Sequence, residues 1–281
     1  MGKEVGAVLG QQRNRAVVAL GVLIAFIGSL GVLKAGADRP WPTARVEAAR
    51  LTRPAPVTTA PAPTTTSPPT TVAPGFPALQ VPVETPLASP KGTISTYASP
   101  ESAPVGRVGT WYGFALTLPV IAAQPGWLQV RLPQRPNGST AWVQEGDVTL
   151  SSTPYFIAVS LSVDHLMVFQ SGNPILDLPA GIGLPATPTP AGHFFVAVRE
   201  LHPDAFYGPV ILDTSAHSEA IRSWEGMGDA IIAVHGPITS SADSRIGSSG
   251  TRVSNGCIRL HNSDLAKLAV VPAGTPIEIV P

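Results

Sequence analysis

Tyr155-Phe156-Ile157-Ala158-Val159-Ser160-Leu161-Ser162-Val163-Asp164-His165-Leu166-Met167-Val168-Phe169 is the stretch that decides the fold. Tyr155, Ile157, Val159 and Leu161 alternate with Phe156, Ala158, Ser160 and Ser162, a period of two that suits a strand and not a helix. Val163-Asp164-His165 then turns the chain into Leu166-Met167-Val168-Phe169, so the segment reads as a β-hairpin. Ser171-Gly172-Asn173-Pro174 makes the next turn and Ile175-Leu176-Asp177-Leu178 a third strand. Thr187-Pro188-Thr189-Pro190-Ala191-Gly192 forces an extended loop, because proline disfavours a helical conformation in the residue before it. Ala230-Ile231-Ile232-Ala233-Val234 is a continuous apolar run, as expected of a strand buried on both faces, and His235-Gly236-Pro237 ends it. Pro276-Ile277-Glu278-Ile279-Val280 is the last strand. Two helices are expected, Ser215 to Met227 and Asn262 to Leu268, the second capped by Ser263.

Upstream of this half the pattern is again short strands and turns. Leu128, Val130 and Leu132 alternate with Gln129 and Arg131 after Gln124-Pro125-Gly126, and Asn137-Gly138 leads to Ala141-Trp142-Val143. These elements point to a small β-barrel at 91–152, with Trp111, Trp127 and Trp142 as core candidates. Before it, 34–90 reads as a linker rich in Pro and Thr that cannot bury a core; its stretch from Leu51 to about Thr85, some 35 residues at about 3.1 Å each in polyproline II, would reach on the order of 100 Å. Ala16 to Leu33 carries no charge and is flanked by Arg13, Arg15, Lys34 and Arg39. It is expected to be a transmembrane anchor at 16–33 behind a basic cytoplasmic tail at 1–15, with everything after it exported. The alternative is a signal segment cleaved near Ala37, where Ala35-Gly36-Ala37 has the small-x-small pattern and the chain would be secreted.

The chain of 281 residues has 18 Lys+Arg against 18 Asp+Glu. No stretch concentrates the positive charge that phosphate binding needs, so no nucleic-acid partner is expected. One cysteine, Cys257, excludes an intrachain disulfide, and His165, His193, His202, His217 and His261 show no ligand spacing, so neither metal nor cofactor is expected. Those five histidines read as structural or surface residues. Cys257 itself lies in Val253-Ser254-Asn255-Gly256-Cys257-Ile258-Arg259-Leu260. Gly256 permits a close approach beside the thiol, and Arg259 shares its face if the strand is extended. A free thiol is only about 3% ionised at pH 7, and lowering its pKa by two units would make it about three-quarters thiolate; a cation or an imidazole base is expected to supply that shift.

Two resemblances follow from these residues. Gly92-Thr93-Ile94, Pro104-Val105-Gly106-Arg107-Val108, Gly126-Trp127-Leu128-Gln129-Val130 and Trp142-Val143 resemble a bacterial Src-homology-3-like domain. His235-Gly236 followed by Ser254-Asn255-Gly256-Cys257-Ile258-Arg259-Leu260, with Thr187 to Phe194 upstream, resembles the active-site signature of the YkuD-type L,D-transpeptidases over 153–281. The resemblance implies a mainly β architecture: membrane helix, linker, SH3-like barrel, then a YkuD-like β-sandwich with few short helices. It implies a peptidoglycan L,D-transpeptidase that cross-links stem peptides through a cysteine thioester, with an L,D-carboxypeptidase or a non-catalytic wall-binding module as alternatives. Cys257 is then the nucleophile and His235 its base. Ser254, Asn255, Gly256 and Gly236 shape the site, backbone N–H groups at Gly256 and Cys257 hold the oxyanion, and Arg259 contacts substrate. Family members are acylated by carbapenems, so the same is expected at Cys257. Many members have His where this chain has Asn255, and Asn cannot shuttle a proton, which leaves the acid–base work to His235. Phe206, Tyr207 and Trp224 are candidates for an aromatic wall over the substrate, or for core.

Overall fold

The alternating segments form strands because each buries one set of side chains and leaves its backbone to pair with a neighbour. The computed structural model describes residues 70–71, 76–77, 79–204, 206–224, 226, 228–248 and 251–281, all within the unit Pro63–Pro281. The tail, the membrane run, the cleavage pattern and most of the expected linker lie outside these residues. Among the described residues no helix is long and apolar enough to cross a membrane.

The main sheet of the first module has seven strands: β1 (Thr85–Pro90), β2 (Ile94–Tyr97), β3 (Pro104–Val108), β4 (Leu118–Gln124), β5 (Trp127–Arg131), β6 (Thr140–Gln144) and β7 (Val148–Thr153). They pair antiparallel in the order β7-β1-β4-β5-β6-β2-β3. The hairpin expected from Asn137-Gly138 is present: Leu128 pairs with Val143 and Val130 with Ala141, all four buried. The expected linker end at residue 90 is corrected. β1 falls inside that span and is zipped along its whole length to β7, from Thr85–Thr153 to Pro90–Val148. Its two prolines read as linker composition, yet proline is tolerated in a strand wherever no ladder donor is needed.

The second module has β8 (Tyr155–Ser160), β9 (His165–Gln170), β10 (Asn173–Pro179), β11 (Gly192–Asp204), β12 (Gly208–His217), β13 (Ile231–His235), β14 (Ile258–Arg259) and β15 (Pro276–Val280). Their order is β10-β9-β8-β15-β11-β12-β13-β14. β8–β15 and β13–β14 are parallel pairs; the first brings together the first and last strands of this module. β11 is the hinge of the sheet: Gly192–Phe195 pair with β15, and Val196 onward pairs with β12. The two halves enclose one apolar core, with Ile157, Val168 and Ile277 from one side and Leu212, Val234 and Ile258 from the other.

Alternation along β11 also joins the modules. Phe194 and Val196 enter the main core, whereas Phe195 and Ala197 enter the core of the first module beside Val130 and Val143. Full burial of Phe195 is worth about 2–3 kcal/mol, so the modules are welded by side chains.

Helices are short, as expected: α1 (Ser240–Asp243), capped by Thr239, and α2 (Asn262–Leu265), which tightens into a 3-10 turn over Ala266–Val270. The expected helix from Ser215 is corrected. Ser215 to His217 continue β12, and turns follow, because β12 needs that length to reach Ile231 on β13. Ser263 does not cap α2; His261 holds the N-cap position without a side-chain capping bond.

Candidate functional site

β13 and β14 run side by side with Val234 opposite Ile258 and His235 opposite Arg259. Side chains alternate faces along a strand, so Val234 and Ile258 point into the main core while His235, Arg259 and Cys257 share the other face. Strand spacing of about 4.8 Å and a rise of about 3.3 Å per residue put the Cα atoms of Cys257 and His235 roughly 8 Å apart on the diagonal. The sequence residues expected to act together are therefore brought together, by a parallel register between segments 22 positions apart.

The turn before Cys257 is held from within and from outside. Ser254 Oγ donates to Cys257 C=O at 2.5 Å and accepts from Gly256 N–H at 3.1 Å. Thr189 Oγ1, buried, donates to Gly256 C=O at 2.7 Å and accepts from Gly183 N–H at 3.0 Å. Leu184 N–H reaches Ser254 C=O at 2.8 Å. Gly256 sits at φ +117°, where a side chain is strained, and a Cβ there would stand 2.7 Å from Ile232 Cδ1. The expected oxyanion role of Gly256 N–H is corrected, since that donor is already given to Ser254. Cys257, one residue ahead of β14, contributes no bond to the parallel ladder. Asn255 is exposed and accepts from Thr187 Oγ1 at 3.2 Å.

Gly236 shapes the site by close approach. Its N–H donates to Tyr207 C=O at 2.7 Å, its C=O accepts from Arg259 Nη1 at 3.2 Å, and a Cβ would meet Asn262 Oδ1 at 2.5 Å. Arg259 is further fixed by backbone bonds to Gly181 at 2.7 and 2.8 Å, while its buried Nε has no partner.

His235 is 3% exposed and its ring meets Tyr207 edge-on with centroids 5.0 Å apart. Burial, then the nearby Arg259 charge, pull its pKa down to about 3, so the imidazole is neutral at pH 7 and able to accept a proton. Cys257 Sγ lies 3.9 Å from Ile231 C=O. Burial pushes the thiol pKa up, and Arg259 and the Ala233 N–H only partly oppose it. The expected thiolate is thus corrected: desolvation outweighs the cation, and the resting pair is thiol and neutral imidazole.

Of the aromatic candidates, Tyr207 packs on His235, while Phe206 packs edge-on against Tyr207 with 40% of its surface exposed, and Trp224 is exposed elsewhere. A cleft of about 460 Å³ lined by Phe206, Pro237, Asp243, His261 and Ser263 opens just past Gly236 and contains neither His235 nor Cys257. His165 and His261 pair with Asp177 and Asp243 at 2.7 Å. Tyr207, a candidate wall residue, lies against the base, whereas Thr189 is a site residue that the sequence reading did not single out. The proline-rich loop around Thr189 was the only signal, and nothing local says that its hydroxyl braces a turn 67 positions away.

The family model of the L,D-transpeptidase catalytic domain, YkuD, matches residues 154–279. The protein assigned as L,D-transpeptidase YkuD in Bacillus licheniformis is 32% identical over 129 residues, 46% of this chain and 67% of that protein. Its Bacillus subtilis counterpart is 30% identical over 127 residues, 45% of this chain and 66% of that protein. The chain thus spans about two thirds of the length of each relative. The catalytic domain of an E. faecium L,D-transpeptidase acylated by ertapenem has a TM-score of 0.34 at 23% identity, over 45% of this chain and 97% of that one. The chain belongs to the YkuD family of L,D-transpeptidases, a membership that the sequence relatives carry.

Proposed function

We infer that the chain is a peptidoglycan L,D-transpeptidase in which Cys257 is the nucleophile and His235 the base. The observation that carries this reading is the shared face of His235 and Arg259 on a parallel strand pair, turned away from the core, with Cys257 one residue ahead of β14. As sulfur attacks the carbonyl between the third residue and the terminal D-residue of a stem tetrapeptide, His235 takes the thiol proton; neutral partners make this general base catalysis and not attack by a preformed thiolate. The tetrahedral oxyanion faces the Cys257 N–H, and Arg259 holds the carboxylate side of the donor. Collapse expels the D-residue as an amine protonated by His235 and leaves a thioester. The side-chain amine of a second stem, giving its proton to His235, attacks the thioester, forms the cross-link and releases the thiol.

Incubation with a disaccharide tetrapeptide, read by mass spectrometry, tests this. Dimer with loss of the D-residue is expected. Loss without dimer assigns water as acceptor and makes the enzyme an L,D-carboxypeptidase. Identical behaviour of wild type and Cys257→Ala would leave a non-catalytic wall-binding module. A carbapenem adduct on intact wild type, absent from Cys257→Ala, is the companion result.

The remaining parts are assigned from the sequence. The run 16–33 between basic flanks supports a single-pass anchor that exports the later domains to the wall space, with cleavage near Ala37 as the secreted alternative. The antiparallel module containing 91–152 supports an SH3-like barrel that sits between linker and catalytic domain.

A further inference from the structure

The turn between β5 and β6 inserts two side chains of the first module into the second. Arg135 Nη1 donates to Ser218 C=O at 2.8 Å, Nη2 to Ile221 C=O at 3.1 Å, and Nε to Asp229 Oδ1 at 3.0 Å. Asn137 Nδ2 donates to His217 C=O at 2.8 Å, and its Oδ1 accepts from His217 N–H at 2.8 Å, so the amide pairs with the last residue of β12 as a strand would. Asp229 is approached from four sides: by Arg135, by Ala230 N–H at 2.8 Å, by Tyr112, and by Nδ1 of the buried His217 at 2.9 Å. All of these contacts land on 217–230, the segment that leaves β12 and enters β13.

Two observations connect that segment with the reaction. β13 begins at Ile231, two residues after Asp229, and ends at His235. Ile231 C=O is also the backbone oxygen facing Cys257 Sγ at 3.9 Å. A shift of the segment by a fraction of a strand step therefore moves the base and the nucleophile's neighbour together. A planar guanidinium that spans two carbonyls and a carboxylate fixes such a segment in a way that a point charge cannot.

We propose that Arg135, on the first module, is a positioning residue of the transfer reaction, acting through Asp229 and the 217–230 segment to set β13 against Cys257. The first module is then part of the catalytic unit. The proposal rests on the nucleophile and base assigned above. It concerns orientation and not substrate contact, since Arg135 gives Nη1, Nη2 and Nε to Ser218 C=O, Ile221 C=O and Asp229 Oδ1.

The test uses the full chain and the variants Arg135→Ala, Arg135→Lys, Asp229→Asn and the double variant Arg135→Ala/Asp229→Asn. Four quantities are read: kcat and KM on a disaccharide tetrapeptide, the rate of Cys257 alkylation by iodoacetamide at pH 7, and the melting temperature. Expected are falls of about tenfold in both kcat and alkylation rate for Arg135→Ala and for Asp229→Asn, with KM changed less than about twofold. The double variant is expected to be no slower than either single one, because one network is being cut twice, and Arg135→Lys to restore only part of the rate. Rates within about twofold of wild type at a lowered melting temperature, or additive losses in the double variant, overturn the proposal. If wild type does not turn over the tetrapeptide, the assigned activity fails by itself, and the alkylation rates still decide the positioning role. Should Arg135→Ala not fold, Arg135→Lys and Asp229→Asn carry the same two outcomes.

Discussion

Strand β13 ends at one buried histidine and starts beside another, the last residue of β12, and the two are built differently. At its start, His217 pairs with Ile231 and faces Asp229, itself ringed by Arg135, Tyr112 and Ala230 N–H. At its finish, His235 faces Arg259 and no carboxylate raises its pKa. Burial lowers both histidines, but Asp229 opposes the fall at His217, whereas Arg259 adds to it at His235. The difference separates a fastening from a reactive pair. Asp229 ties loop, strand and first module together, whereas His235 is left neutral. Burial alone would not have distinguished the two, and each also has an arginine nearby; the carboxylate beside His217, absent beside His235, does.

The sharpest break of this comparison is at the reactive end. His235→Gln is expected to cut kcat by about 10² to 10⁴-fold with little change in KM, since it removes the base and keeps a polar side chain; steady-state kinetics on the tetrapeptide check it. The same group gives an acid-stability signature. His235 takes its proton near pH 6.5 when unfolded and only near pH 3 when folded, so the unfolded state binds more protons across that window and stability rises with pH through it. Unfolding free energies from urea titrations should therefore fall as pH drops from about 6.5 towards 3, by up to the order of 5 kcal/mol. His235→Gln should flatten the slope, leaving a residue of the same sign from His217.

Ser254→Ala, which cuts both bonds of the Cys257 turn, is expected to cost about 1–3 kcal/mol of stability, measured by chemical denaturation. The smallest effect belongs to Asn255→Ala. An exposed residue with one long bond to Thr187 should change stability by less than about 0.5 kcal/mol and kcat by less than about twofold; a larger loss would mean that Asn255 acts on substrate.

Much of the second module was legible. The Tyr155–Phe169 hairpin, the third strand, the buried strand ended by His235 and the final strand are all present, because their periodicity reports burial directly. Proximity of His235 and Cys257 followed from the motif. What local pattern misread was decided by pairing partners: Thr85–Pro90 looks like linker and is a strand because β7 offers it a ladder, and Ser215 looks like a helix start and is strand because β13 needs β12 to extend. The bracing by Thr189, the ring contact of Tyr207 and the insertion of Arg135 left no periodic trace, since each is a single side chain acting across many residues.

By itself the sequence determined that this chain is mainly β, that it carries one cysteine in a polar glycine turn, and that a histidine ends a buried strand upstream. These are matters of period, composition and spacing, which neighbouring residues settle among themselves. Tertiary structure alone decided the charge state of the site. Arg259 two positions from Cys257 promised a thiolate, and burial delivered a thiol beside a neutral imidazole. The penalty for desolvating a charge depends on everything packed around it, and no local stretch of sequence contains that sum.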